Sequence, residues 1–197
     1  MTTLNLIGAG RVGRTLATLW ARHGVFEIQD VLTSSLESAQ EACTAIGSGT
    51  AVARMQAMRP ADVWMLAVQD ARIADVAHVL AATRVSGASR PIVFHCSGAQ
   101  NAGSLQPLAE LGWRTASAHC ILSFASAAVA TQQFAGTPCA LEGEAAALAL
   151  PASVNHGTST VTISGTVTPK RLSWLSSAGI PNVGCCARSE EHTSELQ

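Results

Sequence analysis

Three glycines, Gly8, Gly10 and Gly13, stand in the spacing G-x-G-x-x-G, with Ala9, Arg11 and Val12 between them. That spacing carries physical content where a strand runs in and a helix runs out. Both flanks are present. Leu4-Asn5-Leu6-Ile7 precedes as a short strand, and Val12, Leu16, Leu19 and Trp20 follow on one helical face. In that setting Gly8 permits a tight turn, Gly10 lets the backbone approach a pyrophosphate, and Gly13 lets the helix pack closely on the sheet. Free amides and the helix dipole then hold the anion. Residues 8–13 are therefore expected to bind a dinucleotide.

The end of the second strand, Ile28 to Thr33, separates NAD from NADP. An NAD site usually places Asp or Glu there for the ribose 2′-OH. This chain has Thr33-Ser34-Ser35 instead. Hydroxyls and nearby amides can accept a 2′-phosphate and no carboxylate repels it, so NADP is expected before NAD. Ser34 with Glu37 also reads as a capping box, S-x-x-E. The two roles are compatible, because a helix N-terminus also takes phosphate. No arginine adjoins the segment in sequence, so the bidentate phosphate contact is missing from it.

Three further segments end strands at the same carboxyl edge. Ala67-Val68-Gln69 closes the unbroken apolar run Val63–Ala67, the pattern of a central parallel strand. Asp70 after it can cap a helix. His95-Cys96-Ser97-Gly98-Ala99 follows the next strand, and Ala118-His119 the one after that. His95 and His119 can give or take a proton near neutral pH, as carbonyl or imine reduction needs, and Ser97 adds a hydroxyl. These three are the candidate catalytic residues. The competing reading is that a strand-end histidine simply bonds nearby backbone. Cys96 has no basic sequence neighbour to lower its thiol pKa.

Elements that would position these groups alternate along the chain. Arg22, His23 and Gly24 can end the first helix. Leu36, Ala39, Cys43 and Ile46 give the buried face of the second, which Gly47 ends. A short strand and a short helix are expected within 48–60. A helix with Ile73, Val76, Ala77 and Leu80 inward follows the central strand. Strands at Pro91–His95 and Thr115–Ala118 flank a helix at Leu105–Leu111. Cys139-Ala140-Leu141 reads as a last strand, and Glu144 to Leu150 as the start of a helix. The alternation predicts an α/β fold with a doubly wound, mostly parallel sheet over residues 1–150.

Hydrophobic residues make up 48% of the 197 and charged residues 13%, which excludes a disordered chain and suits a sheet covered on both faces. A net charge of -1 gives no electrostatic basis for nucleic-acid binding. No run of about 20 apolar residues and no basic leader point to a membrane or to export, so a cytoplasmic protein is expected. The six cysteines show no paired C-x-x-C spacing for zinc, and the first four read as small buried apolar residues. The pattern stops near Pro151. Residues 151–187 hold eleven Ser or Thr and no Asp or Glu. Two readings stand for them, a frame-shifted stretch or a Ser/Thr-rich tail. Residues 188–197 match, residue for residue, one reading frame of a common sequencing-adapter oligonucleotide, and are read as an artefact.

Taken together, Ile7-Gly8-Ala9-Gly10-Arg11-Val12-Gly13, Ala67-Val68-Gln69-Asp70-Ala71-Arg72-Ile73, His95-Cys96-Ser97-Gly98-Ala99, Ser117-Ala118-His119 with Ser123-Phe124, and Phe134-Ala135-Gly136-Thr137-Pro138 leading to Glu142-Gly143 resemble a family. It is that of bacterial Rossmann-like proteins with a C-terminal domain of unknown function numbered 2520, similar to pyrroline-5-carboxylate reductases and coenzyme-linked NADP reductases. The resemblance covers roughly residues 3–150. It implies an NADP-dependent oxidoreductase of unsettled substrate, a fold and a cofactor but not a reaction. It also implies a homodimer for full-length relatives, built by a helical C-terminal domain that closes the substrate pocket. Two departures stand out. Cys120 takes the place of a usual proline, and the helical domain has no counterpart. The chain as written is thus expected to be a truncated piece that binds cofactor without turning over substrate. The alternative function is a non-catalytic NADP-binding sensor or regulatory module.

Overall fold

A computed structural model describes residues 1–83 and 90–144. The expected tail, the adapter-like end and all but the first residue of the helix expected at Glu144–Leu150 lie outside the described residues. Seven strands form one sheet: β1 (Thr3–Ile7), β2 (Glu27–Leu32), β3 (Thr50–Val52), β4 (Val63–Leu66), β5 (Ile92–His95), β6 (Arg114–Cys120) and β7 (Cys139–Gly143). Their order is β3-β2-β1-β4-β5-β6-β7. Every neighbouring pair is parallel except β6 with β7. The order reverses between β1 and β4, so the switch point where ligands bind in open α/β sheets lies at their carboxyl ends.

Helices α1 (Arg11–Arg22), α2 (Leu36–Ile46), α3 (Ile73–Thr83), α4 (Gln106–Ala109) and α5 (Ala127–Gln133) cover the sheet. On one face Leu16 and Trp20 of α1 and Ile46 of α2 pack with Leu4, Leu6 and Phe94 from the strands. Trp20 meets Phe26 edge-on at 5.3 Å and Phe94 at 6.2 Å. On the other face Ile73 and Leu80 of α3 and Leu108 of α4 pack with Leu66 and Val93. Because β4 is covered on both faces, all four of its residues are buried, which is why it is continuously apolar.

The structure adjusts several local expectations. The capping box does not form: α2 begins at Leu36, and Ser35, not Ser34, accepts a hydrogen bond from the Ser38 amide at 3.1 Å. Leu36 is then exposed, and Ala39, Ala42 and Ile46 carry the burial, while Gly47 ends the helix in the left-handed region at φ 79°. Asp70 is not a cap but opens a single 3-10 turn, Asp70–Arg72, whose capping residue is Gln69. The helix expected at Leu105–Leu111 is a 3-10 turn, Ala102–Leu105, running into the one-turn α4. Of the first four cysteines, Cys120 and Cys139 are buried, and Cys43 and Cys96 are half-buried.

Helix α5 had no counterpart in the sequence reading. It is seven residues long, with Ala130 its only buried residue, too short for a periodic apolar face. It also explains the direction of β7. A seven-residue helix advances about 10 Å, against about 23 Å for the seven residues of β6. The chain therefore returns to the carboxyl edge it left, where the Ile121 amide donates to Pro138 O at 2.8 Å, and β7 must run back antiparallel.

A polar cluster fastens the β3–β4 connection beneath the sheet. Asp30 is 1% exposed, and its carboxylate accepts from the Arg59 amide at 2.6 Å and from Arg59 Nη2 at 2.6 Å. Asn5, fully buried, accepts from the Asp30 amide and donates to Arg59 O. A buried carboxylate left with fewer donors loses charged hydrogen bonds. Arg59→Ala is therefore expected to cost about 1–3 kcal/mol, read as a lowered urea midpoint at unchanged slope. A loss below about 0.5 kcal/mol would show that the pair adds nothing to folding.

Candidate functional site

The first part of the site is the turn from β1 into α1. Gly8 has φ +83°, and its amide donates to Leu32 O at 2.8 Å. A Cβ on Gly8 would stand 2.6 Å from Ala67 O. One on Gly13 would stand 2.7 Å from Gly8 O and 3.0 Å from Ala67 Cβ. These two glycines are where helix and sheet touch. Gly10 differs: no atom lies within 4 Å of the place its Cβ would take. Gly10 caps α1 from an extended conformation without a side-chain partner, and the first turn of α1 has no acidic residue. The N-terminus of α1 therefore has open space at Gly10 and no acid in its first turn. Ala9 is buried, Val12 is half-buried and Arg11 is exposed. Arg14 Nε holds the loop by donating to Ala9 O at 2.8 Å. The residues present fit the pyrophosphate of a dinucleotide: a helix N-terminus without an acid opens beside a glycine at which a side chain would take up free space.

Beside this cradle, at the end of β2, lie Thr33, Ser34 and Ser35. Thr33 Oγ1 donates to Ser35 O at 2.8 Å, and Ser35 caps α2. That leaves the Ser34 hydroxyl exposed and, among the described residues, without a hydrogen-bond partner. On the other side of the switch point, Ala67 and Val68 are half-buried and Gln69 is exposed. Ala67 continues the ladder by donating to Ile7 O at 2.8 Å.

The second part of the site lies at the ends of β5 and β6. His95 is fully buried. Its Nδ1 accepts from the Ser97 amide at 3.2 Å and its Nε2 pairs with Asn101 O at 3.0 Å, which fixes the Nε2–H tautomer. Both nitrogens are spent on backbone, so His95 has none to offer a substrate. It clamps the loop after β5, the second of the two readings open to it. Burial, the largest effect, lowers its pKa, against the raising effects of Asn101 O and of the Glu142 and Asp70 carboxylates. Ser97 is also turned inward: its Oγ accepts from the Ala99 and Gln100 amides, both at 3.1 Å. Burial pushes the Cys96 thiol up to about 12, which keeps it un-ionised.

His119 alone of the three catalytic candidates keeps an accessible ring. It is half-buried, with Nδ1 a long 3.5 Å from Cys96 O. A Cβ on Gly98 would come within 2.6 Å of His119 Nε2, so the glycine makes room for the ring. His119 lines a cavity of about 560 Å³ with Ser117, the 97–101 loop and residues 140–142 of β7. Glu142 joins Gln100 and Asn101 as polar lining that sequence reasoning did not single out as functional. It faces Ser117 across the β6–β7 ladder, and its Oε2 accepts from the Ala102 amide at 3.3 Å. Alternation along β7 could have placed it beside Ser117, had the antiparallel register been known.

The profile of the Rossmann-like domain family matches residues 2–120. The chain belongs to that family. No curated protein matches it. Solved structures share the Rossmann-like fold at low identity. A protein from Bacteroides fragilis assigned as an NADP oxidoreductase superposes with a TM-score of 0.63 at 17% identity, over 96% of this chain and 61% of its own. A pyrroline-5-carboxylate reductase from Coxiella burnetii does so with 0.58 at 16%, over 73% and 50%. A prephenate dehydrogenase from A. aeolicus, in complex with hydroxyphenyl propionate and NAD+, gives 0.58 at 18%, over 74% and 51%. The chain thus spans about half to three-fifths of the length of these Rossmann-like neighbours. Among its described residues no helix is long and apolar enough to cross a membrane.

Two measurements test the site. Gly10→Val is expected to fold normally, by circular dichroism, and to lose most calorimetric affinity for NADPH, whereas Gly13→Val is expected to fail to fold. Normal binding by a folded Gly10→Val protein would put the nucleotide elsewhere. For His95, the folded state keeps the ring neutral and holds its pKa below the ordinary 6.5. The unfolded chain then binds the extra proton, so stability is full above about pH 6.5 and falls as the pH drops below it. His95→Gln is expected to flatten that acid-side fall; an unchanged slope would contradict the clamp.

Proposed function

We propose that the chain is the cofactor-binding part of an NADP-dependent oxidoreductase, and that its relatives are the bacterial proteins named from the sequence motifs. The observation that carries this reading is the open space at Gly10, in front of α1 amides with no acid in the first turn. The absence of a carboxylate at Thr33-Ser34-Ser35 supports NADP over NAD.

When bound, the nicotinamide supplies hydride transfer. The residues of this chain bind, orient and protonate. Gly8 through Gly13 hold the pyrophosphate. Ala67, Val68 and Gln69 form the edge along which the cofactor crosses the switch point. The 97–101 loop, held rigid by His95 and Ser97, forms one wall of the cavity. His119 is the proton donor to a carbonyl or imine, its ring held against Gly98 and open to the cavity. The rest of the substrate pocket comes from chain beyond the Rossmann-like unit, which fits the share of the neighbours that this chain spans.

The test is a pair of fluorescence titrations. NADPH is expected to bind at least about tenfold more tightly than NADH, a difference of about 1.4 kcal/mol. Equal or reversed affinities would remove the NADP assignment.

A further inference from the structure

We infer that Arg54 is the specificity-determining residue for the cofactor, gripping the 2′-phosphate of NADP together with the Ser34 hydroxyl. The inference rests on the NADP reading above and names the group that performs the discrimination. Twenty positions separate Ser34 from Arg54 in the sequence, so nothing local connects them. The sheet does. Strands β2 and β3 pair in parallel, with Asp30 beside Thr50, Val31 beside Ala51 and Leu32 beside Val52. The ladder ends at Leu32 and Val52, so Ser34 and Arg54 each follow two residues after their strand, at the same carboxyl edge. Neighbouring strands lie about 4.8 Å apart, a distance an arginine side chain spans with ease. The cation is therefore delivered to the carboxyl edge of the sheet where the hydroxyl segment ends, next to the cradle at Gly10.

The surroundings leave Arg54 available. It is exposed, in an extended conformation at φ -148° and ψ 148°, and it caps a short 3-10 turn without using its side chain. Among the described residues its guanidinium has no hydrogen bond and no ion pair. Other arginines near the site are engaged: Arg14 with Ala9 O and Arg11 with Phe124 O at 3.5 Å. The segment it faces, Thr33 to Ser35, carries no acid; the nearest in sequence is Glu37, in the first turn of α2. A planar guanidinium offers two parallel N–H donors to phosphate oxygens. NADH, with a neutral 2′-hydroxyl, gives that fork much less to hold.

The test compares wild type, Arg54→Ala, Arg54→Gln and Arg54→Lys, titrated with NADPH and with NADH at low and moderate salt. Arg54→Ala is expected to weaken NADPH at least tenfold and NADH less than twofold. Arg54→Lys should keep part of the preference, since it retains the charge but loses the fork. The wild-type preference for NADPH should shrink as salt rises. If wild type prefers NADPH and both Arg54→Ala and Arg54→Gln keep that preference, the inference is overturned and the NADP reading stands. If wild type shows no preference, the NADP reading fails, and this inference fails with it. Circular dichroism shows whether each variant folds, and an exposed, unpaired Arg54 predicts that all do.

Discussion

The close approach of α1 to the crossing of β1 and β4 is the constraint on which the rest of the site depends. Gly13 lies so near Gly8 O and Ala67 that no side chain fits between. This contact brings the N-terminus of α1 down onto the switch point rather than above it. Gly8 can turn there only because its φ of +83° carries no Cβ penalty. With helix and strand so placed, the N-terminus of α1 lies at the carboxyl edge between the ends of β2 and β4.

The edge of the sheet beyond β4 shows a division of labour between two histidines that look alike in sequence. His95 ends a central strand, so it is buried, and a buried imidazole must satisfy both nitrogens. It does so with backbone and thereby shapes the loop that follows. His119 sits on β6, which α4 covers only partly and whose outer neighbour is the short antiparallel β7. Its ring is therefore left at a cavity wall. Position in the sheet, not residue type, separates a structural histidine from one able to meet a substrate.

How much of this was legible in the sequence follows from the range of the signals. The glycine spacing, the apolar run at Val63–Leu66 and the stop at Gly47 are local, and each appears where it was expected. The alternation of strands and helices marks a doubly wound, mostly parallel sheet but leaves the strand order open. What escaped depends on contacts between distant segments. The one-residue shift of the α2 cap from Ser34 to Ser35 turns on where the β2 ladder ends. Helix α5 and the reversal of β7 depend on the return of the chain to Pro138. Arg54 follows β3 at the same sheet edge at which Ser34 follows β2, twenty residues removed, which is why the hydroxyl segment read as lacking an arginine. Glu142 reaches the cavity only because β7 runs antiparallel.

The central claim is that the β1–α1 turn holds a dinucleotide. Amide chemical-shift mapping of the isotope-labelled chain during addition of NADPH tests it most directly. The account predicts that saturable shifts concentrate at residues 8–13, 33–35 and 67–69. Saturable shifts confined to another region, with Gly10, Arg11 and Val12 unmoved, would contradict it.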